Sequence, residues 1–173
     1  MLDSDEKISK ISLFFEELAA SVAEPALINF RRDIDVENKS AADFDPVTEA
    51  DQNTERAVRE KIRTHFPEHG IIGEEFGAEN ADSDYVWVID PIDGTRAYIS
   101  GLQTWGTLVG LTHKGRAVAG FMSQPYLGEL FMGVPGGSYF ARRGEKAMPI
   151  RVSNTELLAE SKMMTTTPAL FQG

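Results

Sequence analysis

The run Tyr85-Val86-Trp87-Val88-Ile89 is apolar without a break and leads straight into two acids, Asp90 and Asp93, set between Pro91 and Gly94. A continuous apolar run of this length predicts a central strand buried on both faces. Carboxylates at the end of such a strand face a crevice, where ligands commonly bind in layered folds. Side by side they repel, and one pKa must rise unless a cation lies between them.

The rest of the chain supplies the layers. Ile8, Ile11, Phe15, Leu18 and Val22 recur at helical spacing, which predicts a helix over 6–32 with a kink or a restart at Pro25. The polar stretch from Asp33 to Asp45 reads as a loop. A second helix is expected from near Thr48, where Thr48 and Asp51 resemble a capping pair. Its buried face would be Ala50, Thr54, Ala57, Val58 and Ile62, and Pro67 would end it. Ile71 to Gly73 reads as a short strand running into Glu74-Glu75, with an acidic loop from Ala78 to Asp84. From Thr107 onward the text is a meander, with turns at 113–116, 136–137 and 143–146. Two helices followed by strands predict an α+β fold in layers.

Composition narrows the chemistry. The chain has 173 residues, enough for one domain with a real core. It has no cysteine, which excludes disulfides, thiolate metal sites and cysteine nucleophiles. The net charge is -10, against the basic field of a nucleic-acid binder, so no nucleic-acid partner is expected. No apolar run is long enough for a bilayer, so no membrane partner is expected either. The cytoplasm is the default location.

Asp90 and Asp93 offer hard oxygen ligands, which suit Mg²⁺ or Mn²⁺ better than zinc. Pro91 holds the backbone extended, so the Ile92 carbonyl can join them. Gly94 permits a tight turn, and backbone N–H groups at Gly94-Thr95 form an anion site where a helix begins. A cation site beside an anion site describes a bound phosphate bridged by a metal, with the Thr95 hydroxyl placed to orient a water. Asp-Pro and Asp-Gly are also ordinary turn dipeptides, and taken alone the stretch reads equally as a structural turn. Glu74-Glu75 alone reads better as a solvated loop, and Asp51 alone as an acid favouring a helix N-terminus.

Three stretches together, DPVTEAD (Asp45 to Asp51), IIGEEFG (Ile71 to Gly77) and WVIDPIDGT (Trp87 to Thr95), resemble the inositol-monophosphatase superfamily of Mg²⁺-dependent phosphomonoesterases. The resemblance implies a layered α/β/α/β/α sandwich of the inositol-monophosphatase / fructose-bisphosphatase type. It implies Glu74, Asp90, the Ile92 carbonyl and Asp93 as metal ligands, and Asp51 and Thr95 as the residues that position the attacking water. The Gly94-Thr95 backbone would hold the phosphate. Lys39 matches a lysine near the metal, one residue out of register, and Glu75 lies just outside the ligand shell. Family members are longer and carry a further aspartate motif in a second half. Residues 1–173 are therefore expected to be the N-terminal portion of that domain, cut short and lacking that aspartate and much of the substrate pocket, with an inactive fragment as one reading. A homodimer is expected at full length.

The text DGTRAYISG followed by TWGTLVGL is similar to the histidinol-phosphate phosphatase branch, which acts late in histidine synthesis. Arg96, beside the motif, would attract an anionic substrate, or pair with a local acid. The expected substrate is L-histidinol phosphate, with inositol 1-phosphate as the alternative and a non-catalytic metal-binding fragment as a third reading. His65, His69 and His113 read as surface histidines, Trp87 and Trp105 as core anchors, and Arg31-Arg32 and Arg142-Arg143 as solvated pairs.

Overall fold

The computed structural model describes residues 5–33, 36–38 and 46–164. Helix α1 (Asp5–Leu27) and helix α2 (Glu49–His65) pack against each other and lie on one face of an eight-stranded sheet. The sheet is built from β3 (Gly70–Gly73), β4 (Gly77–Glu79), β5 (Tyr85–Asp93), β6 (Gly106–His113), β7 (Arg116–Gln124), β8 (Glu129–Val134), β9 (Gly137–Arg142) and β10 (Met148–Ile150). Its order is β10-β9-β8-β7-β6-β5-β3-β4. Among the described residues only the β3–β5 pair is parallel; from β5 onward each strand pairs antiparallel with the next. This is the expected α+β layering, with the meander where its turn residues put it.

The helical stripe predicted for α1 is what fills the core. Ile11, Phe15, Leu18 and Val22 are buried against Val58 and Ile62 of α2 and Trp87, Val109, Leu111 and Phe121 of the sheet. Phe15 stands edge-on to both Trp87 and Phe121, at 6.2 and 5.2 Å between ring centroids. A second, smaller cluster joins Ala26, Phe30, Ala50, Ile92, Tyr98 and Trp105. It ties the end of α1, the start of α2 and the far end of β5, and it forms the floor of the acidic site.

Several expectations need correction. α1 ends at Leu27 rather than residue 32. Arg31 takes a left-handed φ of 61° and donates to the Gly101 carbonyl and the Tyr126 hydroxyl, at 3.0 and 2.7 Å. It is exposed, as expected, and also clamps two loops. The Asp33–Asp45 loop contains a strand, β1 (Val36–Asn38), which pairs antiparallel with β2 (Pro46–Thr48). The acidic loop after Gly77 likewise begins as β4. The face of β5 away from the helices is only partly covered: Val86 is buried, whereas Val88 is 43% exposed and its neighbour Ile72 is 40% exposed. An apolar run cannot distinguish a strand covered on both faces from one whose second face is open. His69 is half-buried, not a surface residue: its Nδ1 accepts the Trp87 indole N–H at 3.0 Å.

No helix among the described residues is long and apolar enough to cross a membrane.

Candidate metal centre

β5 does not stop at Ile89 but runs through the acidic motif. Against β6, Asp90 pairs with Leu108 and Asp93 with Gly106, three residues against two, which is a β-bulge. Residues three apart in a regular strand face opposite sides. The bulge restores the parity and brings Asp90 and Asp93 to the same side. The Thr107 hydroxyl donates to the Pro91 carbonyl at 2.8 Å and ties the bulge to β6. Ile92 drops its side chain into the smaller core cluster.

Gly94 then turns the chain with φ 91° into α3 (Thr95–Ile99). A Cβ here would lie 2.8 Å from the Thr104 carbonyl oxygen, so the turn needs glycine twice over. The Gly94 carbonyl accepts from the N–H groups of Ala97 and Tyr98. The Thr95 hydroxyl donates to the Ile92 carbonyl at 3.0 Å. The expected water-orienting hydroxyl and the expected carbonyl ligand therefore touch.

Glu74 is the first residue beyond β3, and its N–H donates to the Ile89 carbonyl at 3.2 Å. β3 and β5 run parallel with Gly73 opposite Ile89, so Glu74 and Asp90 leave adjacent strands side by side. Their side chains hydrogen-bond to each other. Burial, then the charges of Glu74 and Asp93, that hydrogen bond and the charge of Asp51 push the Asp90 pKa up to about 7. Asp90 Oδ1 is buried without a partner among the described residues.

Asp51 approaches from α2. It occupies the third position of the helix and accepts the Thr48 N–H at 2.8 Å and the Thr48 hydroxyl at 2.6 Å. The Thr48–Asp51 pair predicted from the sequence is therefore present, with Asp filling the place usually taken by Glu or Gln. Tyr98 lies under the same corner; its hydroxyl donates to the Ala26 carbonyl at 2.9 Å, and burial followed by the Asp51 charge raises its pKa to about 12.

Three of the predicted acids, Asp51, Glu74 and Asp93, thus all act on the fourth, Asp90. Among the described residues no three of them already stand at ligand spacing around one point. Instead a hydrogen bond joins Glu74 and Asp90. A hard divalent cation fits this donor set: it would neutralise crowded carboxylates and give the orphaned Asp90 oxygen a partner. Arg96 is exposed on α3, and Glu75 is half-buried beside Glu74. Lys39 lies outside the described residues.

Two functional candidates escaped the sequence reading. Glu55 and Arg59 are buried and paired at 2.7 Å, and Glu55 also accepts the Glu75 N–H at 2.7 Å. The available signal was their spacing from Asp51, four and eight residues on along one helix face.

Comparison with known proteins agrees with this architecture. The profile of the inositol monophosphatase family matches residues 7–170. The chain is 35% identical over 170 residues to the chloroplastic bifunctional phosphatase IMPL2 of Arabidopsis thaliana, covering 97% of this chain and 47% of that protein. It is 38% identical over 138 residues to a histidinol-phosphatase of Chlorobaculum parvum, covering 79% of this chain and 51% of that one. Among solved structures, an IMPase of Thermotoga maritima superposes with a TM-score of 0.70 at 32% identity, covering 84% of this chain and 54% of that one. The chain belongs to the inositol monophosphatase family. It spans about half the length of the curated relatives it matches.

Proposed function

We propose that this chain carries the metal- and phosphate-binding half of a Mg²⁺-dependent phosphomonoesterase. The observation that carries this reading is the buried, unpartnered Asp90 Oδ1 set against Glu74, with Asp93 and Asp51 close enough to raise the Asp90 pKa. Glu74, Asp90, Asp93 and the Ile92 carbonyl would hold the ion. When bound, Mg²⁺ supplies a hard Lewis acid that neutralises phosphoryl charge and acidifies water.

The remaining work falls to the chain's own groups. The Asp51 carboxylate, fixed by Thr48, accepts a proton from the attacking water. The Thr95 hydroxyl, fixed on the Ile92 carbonyl, orients that water. The N–H groups at Gly94-Thr95 face the phosphate oxygens. Arg96 draws in an anionic substrate.

The substrate is a small phosphate ester, and L-histidinol phosphate is the preferred one. The Asp93-to-Gly101 text and the name of the Chlorobaculum relative support it. Inositol 1-phosphate is the second reading, favoured by the likeness to the Thermotoga IMPase. The test is phosphate release from both substrates, with Mg²⁺ and with EDTA, by this chain and by a version extended to the relatives' length. Metal-dependent release from one of them supports the reading and selects the substrate. No release from either by the extended version contradicts it.

A further inference from the structure

The loop that carries Glu74 is held by an ion pair that never reaches the site. The Glu55 carboxylate on α2 is fully buried. It accepts the N–H of Glu75 at 2.7 Å and that of Phe76 at 3.3 Å, and it pairs with Arg59 Nε at 2.7 Å. The Arg59 guanidinium in turn donates to the Gly77 carbonyl and, at 3.3 Å, to Glu79. Donors and acceptors of the loop after β3 thus end on one pair of side chains. On the other side of Glu74, its own N–H is fixed on Ile89. Both peptide units that flank this ligand are therefore held.

The neighbouring glycine exists for the same reason. A Cβ on Gly73 would lie 1.9 Å from Glu55 Oε1 and 2.4 Å from Cδ. A side chain at position 73 would have to push the carboxylate aside. Asp51 and Glu55 are one helical turn apart on α2, so a single helix face carries both the acid at the site and the strut behind Glu74.

We propose that Glu55 is a positioning residue for the metal site: its carboxylate sets the loop backbone that aims Glu74 at the cation, with Gly73 giving it room. The inference rests on the metal reading above and deepens it. Groups that orient ligands without touching the ion characteristically change metal affinity about 10–100-fold when removed.

The experiment measures Mn²⁺ affinity by electron paramagnetic resonance on the whole chain, with circular dichroism and thermal melting to establish folding. Glu55→Gln keeps the shape of the side chain but replaces one acceptor oxygen by a donor. Gly73→Ala retains both residues of the pair but displaces the Glu55 carboxylate. Asp90→Asn serves as the control for the metal site itself. The expected result is Mn²⁺ binding by the wild type, its loss in Asp90→Asn, and at least tenfold weaker binding in folded Glu55→Gln and Gly73→Ala. A folded Glu55→Gln that melts lower yet binds Mn²⁺ as tightly as wild type would overturn the proposal, leaving Glu55 a merely structural group. Where Glu55→Gln does not fold, Gly73→Ala decides on the same criterion. If the wild type fails to bind Mn²⁺, or Asp90→Asn binds as well as wild type, the metal reading falls and takes this inference with it.

Discussion

The Trp87 indole N–H donates to Nδ1 of His69 at 3.0 Å, beneath the Phe66 and Tyr85 rings that stack on the imidazole. Nδ1 can accept only while it carries no proton. Burial also holds the His69 pKa below its usual value. A basic group with a depressed folded pKa contributes stability that is present above its unfolded pKa, about 6.5, and lost as pH falls through the lower folded value. This share of the stability should therefore be lost as pH drops from 7 towards 5, while protonation of Asp90, whose pKa is raised to about 7, acts the other way in both proteins. Over that range the wild-type melting temperature should lose ground to that of His69→Asn. Equal slopes for the two proteins would show that His69 does not carry the effect.

Burial makes α1 asymmetric in its tolerance of substitution. Phe15 is fully buried between Trp87 and Phe121, and Leu13, two residues earlier, is 65% exposed. Phe15→Ala should cost about 3–5 kcal/mol in urea unfolding. Leu13→Ala should stay within about 0.5 kcal/mol of wild type.

Glycines of similar appearance should differ. Gly94→Ala combines a positive φ with a Cβ placed 2.8 Å from the Thr104 carbonyl, and should destabilise by more than about 1 kcal/mol. Gly110→Ala meets nothing within 4 Å and has no positive φ, so it should be neutral or slightly stabilising. Unfolding of the two variants side by side checks both statements.

Much of this was legible in the chain. The meander could be read because its turns carry glycines at left-handed positions, Gly115, Gly136 and Gly144. α2 could be read because Thr48, Asp51 and Pro67 mark its ends. The strands β1 and β4 could not, since three residues each, Val-Glu-Asn and Gly-Ala-Glu, are too few to show a period. The acids of the motif were legible as types but not as geometry. Their common side depends on the bulge between Asp90 and Asp93, which period-two reasoning would have placed on opposite faces. Glu55 was hidden for a different reason. An acid inside a polar helix looks solvated until Gly73 and the loop after it are seen to close over it.

The central claim is that Glu74, Asp90 and Asp93 form a divalent-metal site beside a phosphate site. The most direct test is the melting temperature with Mg²⁺, with inorganic phosphate, and with both, for wild type and Asp90→Asn. Mg²⁺ should stabilise the wild type, by about 2.7 kcal/mol at a hundred times its dissociation constant. Phosphate should add to this only when Mg²⁺ is present. Asp90→Asn, relieved of the repulsion with Glu74 and Asp93, should melt at or above the wild type without metal and respond to neither addition. A wild type indifferent to Mg²⁺, or an Asp90→Asn protein that responds equally, would contradict the account.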